Sequence, residues 1–118
     1  GDTFCYDEKA NLDKQDREQE AAKNIFGLLP ADQCAEYISL WQEFESGKTN
    51  EAKFASSVDR LQPVLHNYMT GGGSWKRHDI SKSQVEKRVK PIEYGSTKLA
   101  EMVKKVLDDA VLNSLLKA

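Results

Sequence analysis

The stretch Ala31–Ser46, ADQCAEYISLWQEFES, decides the fold class. Its apolar residues Cys34, Tyr37, Ile38, Trp41 and Phe44 are linked by spacings of three and four, Cys34 to Tyr37 and Ile38, these to Trp41, and Trp41 to Phe44. That spacing stacks side chains on one face of an α-helix, whereas a half-buried strand would alternate at every second residue. Pro30 stands just ahead of the stretch and Gly47 just behind it, a stop for whatever precedes and a C-terminal stop for the helix itself. The reading is a helix with one buried face.

Upstream, residues 12–29 are rich in Glu, Lys, Gln and Ala, all good helix formers, with an apolar stripe of Ala22, Ile25, Phe26 and Leu29 near the end. Downstream, Thr49 suits the N-cap of a third helix whose core stripe is expected to be Phe54, Val58, Leu61, Leu65 and Tyr68, with a kink at Pro63. Gly71, Gly72 and Gly73 hold a helix poorly and read as a flexible loop. Ser81 and Gln84 form a capping-box pattern for a short helix to about Lys90, ended by Pro91. A last helix over residues 96–116 places Leu99, Met102, Val103, Val106, Leu107 and Ala110 on one face. The sequence has no strand pattern, internal repeat or low-complexity tract. The expected fold class is all-α, about five helices in one domain over residues 1–118.

Composition narrows the partners. The 118 residues contain 17 Lys and Arg against 19 Asp and Glu, for a formal charge of −2. Such a balance gives no general attraction for nucleic acid or an anionic membrane. No apolar run approaches the roughly 20 residues of a membrane helix, and no secretory pattern opens the chain. Cys5 and Cys34 lack Cys-x-x-Cys spacing and read as two reduced thiols in a cytoplasmic protein. The chain starts at Gly1 rather than Met, which suits continuation of a longer chain, cleavage or a tag.

The adjacent pair His78-Asp79 invites a metal reading, but it lies in Trp75-Lys76-Arg77-His78-Asp79-Ile80 just before a capped helix. Asp79 there is a natural turn or capping residue. Trp75 beside Lys76 and Arg77 could stack on a base, yet no second aromatic-basic element accompanies it, and surface packing of Trp75 is the simpler expectation. Asp59 shares a flank of the third helix with Ala52, Ala55 and Gln62, small or polar neighbours that leave room for an ion; a solvated Asp beside Arg60 is the structural alternative. His66 returns to the same face seven residues on, but about 10 Å along the axis at about 1.5 Å per residue, too far for both to reach one ion at about 2.0–2.2 Å. No nucleophile elbow or P-loop is present either.

Several blocks, in order, resemble the short HD-domain metal-dependent phosphohydrolases that include deoxynucleoside 5′-monophosphatases. Gly1-Asp2-Thr3 resembles the stretch shortly after the family's His-Asp pair, and Glu20-Ala21-Ala22 through Leu28-Leu29-Pro30 its next helix and stop. Leu40-Trp41-Gln42-Glu43-Phe44-Glu45, Thr49-Asn50-Glu51-Ala52-Lys53-Phe54 and Val58-Asp59-Arg60-Leu61-Gln62-Pro63 follow. Trp75-Lys76-Arg77-His78-Asp79-Ile80, Ser83-Gln84-Val85 and Gly95-Ser96 complete the series, placing His78 at the family's tail histidine, outside the metal site. The resemblance runs along essentially the whole chain and corresponds to the C-terminal two-thirds, roughly, of an HD domain lacking its N-terminal helices.

The resemblance implies that Asp59 is the last ligand of a His…His-Asp…Asp set, reversing the structural alternative at that position. It implies that Asp2 sits at the substrate pocket and orients substrate or water, with a turn Asp at a terminus as the alternative. A divalent ion such as Mn²⁺, Co²⁺ or Mg²⁺ is the implied cofactor, and a nucleoside monophosphate or similar small phosphate ester the implied substrate. The family's two histidines, first Asp and catalytic Glu have no counterparts among these residues, so the isolated chain is expected to be inactive. Bared apolar faces are expected to favour self-association as a homodimer or rearranged helix packing. The rival function is a non-enzymatic helical interaction module.

Overall fold

Proline and glycine punctuate the backbone of the computed structural model much as they punctuate the sequence. The structure describes residues 5–8 and 13–118. All regular elements among them are helical: α1 Lys14–Phe26, α2 Ala31–Ser46, α3 Asn50–Met69, α4 Gly73–Arg77, α5 Lys82–Val89, α6 Ile92–Gly95 and α7 Thr97–Leu112. The five longer helices are those expected; α4 and α6 are single short turns that the sequence reading did not contain. The sole extended pairing among the described residues is an isolated parallel bridge between Ser81 and Lys117.

The chain divides into two compact units, residues 1–46 and 47–118. In the first, α1 packs on α2, and the rings of Phe26 and Tyr37 stack at a centroid distance of 6.0 Å. Ion pairs Arg17–Asp13 and Lys14–Glu18 support the first turns of α1. The expected buried face of α2 does not materialise: α2 buries no residue, and Tyr37 and Leu40 are about half exposed. In α1 Ala22 is buried, but Ile25 is exposed. Periodicity identifies an amphipathic face without supplying enough partner surface to cover it.

In the second unit α3 is the central element, packed against α4, α5, α6 and α7. Its N-cap is as expected, with Thr49 Oγ1 accepting from the Ala52 N–H at 3.1 Å. Its buried face is not: Ala52, Ser57, Val64 and Asn67 point inward, while Phe54 and Val58 of the expected stripe are exposed and Leu61, Leu65 and Tyr68 only partly covered. The reason is the closeness of α6. A Cβ added at Gly95 would lie 2.1 Å from Ser57 Oγ and 2.5 Å from the Lys53 carbonyl oxygen, so this contact admits only small side chains. Size, more than apolarity, selects what α3 turns inward. The helix continues through Pro63 without interruption.

The glycine segment is ordered rather than a flexible loop. Gly72 is buried with φ +104°, and a Cβ there would stand 2.9 Å from the Leu115 carbonyl oxygen. Asn67, itself buried, accepts from Ser74 N and Oγ at 2.7 and 2.9 Å and donates to the Pro63 carbonyl at 2.9 Å, tying α3 to the start of α4. This tight turn swings Trp75 into the core, where it is 2 % exposed, beside other core residues Ile80, Val85, Ile92, Val103, Leu107 and Leu116. Surface packing of Trp75 is thereby corrected: its indole area is worth most out of water.

Helix α5 has the full capping box expected of Ser81 and Gln84. After Pro91 the chain re-enters a helical turn instead of leaving helix altogether. Helix α7 ends at Leu112, short of the expected 116. Ser114 takes a left-handed φ of 59°, the Leu115 N–H bonds back to the Ala110 carbonyl, and Leu116 is buried.

Candidate functional site

Asp59 sits near the middle of α3, exposed, on the side away from the buried Ser57. Of the neighbours expected on its flank, Ala55 and Gln62 are exposed but Ala52 is buried against the second unit's core. The residue four positions on is Pro63, which has no N–H, so the Asp59 carbonyl lacks its usual donor within the helix. This turn is held by two side chains. Ser57 Oγ is shared between the Lys53 carbonyl at 2.9 Å and the Ile92 carbonyl at 3.0 Å, and Arg60 NH1 donates to the Arg88 carbonyl at 2.6 Å.

An exposed carboxylate with no hydrogen bond or ion pair to the described residues fits the part of one oxygen ligand to a divalent cation. It does not make a complete site. Among the described residues no group of three or more His, Cys, Asp or Glu could hold a metal ion, and His66 is exposed about two turns further along α3. The pair His78-Asp79 is a turn, as expected: His78 ends α4, and Asp79, at φ 49°, accepts from Lys117 Nζ at 3.1 Å. Asp2 lies outside the described residues.

Displaced ionisations fall away from Asp59. Tyr68 donates a short hydrogen bond to Asp109 Oδ2, which holds its phenol above the ordinary value of 10.0. Lys82 pairs with Asp108 at 2.7 Å and Glu86 at 3.5 Å, and chiefly through Asp108 is raised above 10.5. Both tie helices together: Tyr68 joins α3 to α7, and Lys82 joins α5 to α7. Nothing in the sequence points to Ser57 or Asn67, and Arg60 enters there only as the neighbour of a solvated Asp59. A serine and a cation flanking an aspartate carry no signal until the inward face of α3 is known.

The comparisons with known proteins agree along the chain. The family described as HD domain matches residues 1–100. A crystal structure described as a predicted metal-dependent phosphohydrolase from Magnetospirillum magnetotacticum superposes on the whole chain at 47 % identity and a TM-score of 0.90, covering 59 % of that protein. The 5′-deoxynucleotidase HDDC2 of Mus musculus is 38 % identical over 65 residues, 55 % of this chain and 33 % of that protein. Its counterpart in Dictyostelium discoideum is 32 % identical over 68 residues, 58 % of this chain and 36 % of that protein. The chain thus spans about a third of the length of the curated relatives it matches. No helix of the described residues is long and apolar enough to cross a membrane. With a match over residues 1–100 and an all-helical architecture shared with a phosphohydrolase structure, the chain belongs to the HD-domain phosphohydrolase family.

Proposed function

We propose that this chain is the C-terminal part of a metal-dependent phosphohydrolase whose full-length form hydrolyses nucleoside 5′-monophosphates or similar small phosphate esters in the cytoplasm. The observation that carries the reading is the likeness over the entire chain, at 47 % identity, to a protein described as a predicted metal-dependent phosphohydrolase. The nucleotide substrate draws on the shorter matches to 5′-deoxynucleotidases.

In this reading Asp59 contributes one carboxylate to a divalent ion, Mn²⁺, Co²⁺ or Mg²⁺, and the other ligands come from residues outside this sequence. When bound, such an ion polarises a phosphoryl oxygen and lowers the pKa of a water. The work of this chain's residues is to hold a carboxylate rigidly at one place on α3 and to leave it exposed, with no ion pair to the described residues. Asp2 is assigned to the substrate side, orienting substrate or water. One carboxylate binds a catalytic metal weakly, so residues 1–118 alone are inactive, and the exposed Tyr37, Leu40, Phe54 and Val58 support a homodimer.

The test is phosphate release from deoxynucleoside monophosphates by the full-length gene product with added Mn²⁺ or Co²⁺. Activity is expected in the wild type and none in Asp59→Ala. Equal activity in the variant would remove Asp59 as a ligand. The absence of a His and a His-Asp pair, with a nearby Glu, from the native upstream sequence would favour the alternative, a helical interaction module whose uncovered apolar residues bind a partner.

A further inference from the structure

The turn of α3 that carries Asp59 has lost backbone support where a ligand needs rigidity. Pro63 cannot donate to the Asp59 carbonyl, so the helix is softened at the aspartate itself. Two side chains of this turn, Ser57 on the face opposite Asp59 and Arg60 about 100° round from it, replace the missing restraint, and both reach the same corner of the fold. Ser57, wholly buried, bonds to the Ile92 carbonyl at the first residue of α6. Arg60 bonds at 2.6 Å to the Arg88 carbonyl in the last turn of α5.

The corner they reach is short of donors for a reason of its own. The last four carbonyls of a helix have no partner within it, and the residue three beyond Arg88 is Pro91, which has no N–H to offer. The Arg88 carbonyl is therefore an acceptor suited to a guanidinium, and a cation there also suits the negative end of α5. At Ser57 the fit is closed from the far side by Gly95, where a Cβ would come within 2.1 Å of Ser57 Oγ. Neither anchor is a loose surface contact.

We infer that Ser57 and Arg60 are positioning residues that fix the Asp59 carboxylate by fastening its helical turn to the α5–α6 corner. The inference rests on the reading of Asp59 as a metal ligand. Neither side chain touches substrate or metal; each acts through the backbone that bears Asp59. Partners that orient a ligand commonly govern about ten- to a hundredfold in metal affinity, and about tenfold is expected here because the restraint is on the backbone rather than on the carboxylate.

The experiment is a titration of the full-length protein with Mn²⁺ alone, free ion being read by electron paramagnetic resonance, with far-UV circular dichroism confirming helicity at the temperature used. Asp59→Asn is expected to weaken Mn²⁺ binding most. Ser57→Ala and Arg60→Met are each expected to weaken it by about tenfold, with Arg60→Lys, which keeps one donor, falling between Arg60→Met and wild type. Ser57→Ala removes a single oxygen and decides the matter alone if Arg60→Met does not fold. Wild-type affinity in Ser57→Ala and Arg60→Met, with binding weakened in Asp59→Asn, would overturn the positioning role and leave the ligand reading standing. Unchanged binding in Asp59→Asn would overturn both.

Discussion

The contact between Gly95 and α3 offers a sharp probe of the fold because it involves packing without backbone strain. Gly95 does not have a positive φ, so Gly95→Ala adds one methyl group and no conformational penalty of the left-handed kind. That methyl would meet Ser57 Oγ at 2.1 Å, the Lys53 carbonyl oxygen at 2.5 Å and the Lys53 carbonyl carbon at 2.8 Å. Two of the three are backbone atoms of α3, so rotation of a side chain cannot relieve the clash and the helices must separate. Overpacking of this kind costs about 1–3 kcal/mol, and displacing Ser57 from the Ile92 carbonyl adds about 1 kcal/mol for a buried hydrogen bond. Gly95→Ala should thus lose about 2–4 kcal/mol in urea unfolding followed by circular dichroism. Combining it with Ser57→Ala removes the hydroxyl clash and leaves the carbonyl clash, so the double variant should lose less than the two single losses added together. A Gly95→Ala protein as stable as wild type, or strict additivity in the cycle, would refute the packing argument.

Trp75→Ala should cost about 3–5 kcal/mol, the range for removing a large buried aromatic, whereas a surface indole would cost almost nothing; the same unfolding assay separates them, and Trp75 emission should shift to the red on unfolding. Ser81→Ala removes the capping hydroxyl of α5 and should cost about 1 kcal/mol, measured likewise. The pKa values of Tyr68 and Lys82 are both raised in the folded state, so each interaction stabilises fully below the unfolded value and fades as pH rises through the folded one. Stability should therefore fall above about pH 10, and Tyr68→Phe with Lys82→Met should flatten that alkaline decline in thermal melts. Residues 1–118 should sediment as a concentration-dependent dimer, and a monomer at all concentrations would remove the self-association proposal.

The helices were legible because capping and period are local. Thr49, Ser81 and Ser96 each accept from a backbone N–H of their own first turn, and a residue three positions away is visible in any reading of the chain. Burial was less legible. The apolar stripe of Phe54 and Val58 satisfies the helical period, yet α3 turns Ser57 and Asn67 inward, because the close approach of α6 and the turn at Gly73 demand small or hydrogen-bonding side chains there. Trp75 misled for a related reason: Lys76 and Arg77 beside it are exposed, but in a single helical turn neighbours face different ways. The Gly71–Gly73 segment read as loose because glycine is permissive, and permissiveness here serves three positive φ values in one ordered turn.

The residues around Asp59 made it a possible ligand position, but only family likeness favoured that over a solvated Asp, and the geometry explains why spacing could not find its partners. A ligand set drawn from distant segments has no local period, and the nearest histidine in helical register, His66, stands about two turns away on the same rod. What the structure adds is the backbone around the carboxylate. A proline four residues beyond an aspartate in mid-helix would be a liability at an ordinary solvated position, since it removes a bond and returns nothing. On α3 the loss coincides with two buried-side anchors, Ser57 and Arg60, which reach carbonyls bracketing a second proline, Pro91. Helix softened at one residue is refastened by its neighbours Ser57 and Arg60, so the backbone that bears Asp59 is held by tertiary contacts where the helix ladder lacks a bond. That arrangement is costly for a surface charge and useful for a ligand, which is why the Mn²⁺ titration, rather than a melting curve, is the measurement that tells the two apart.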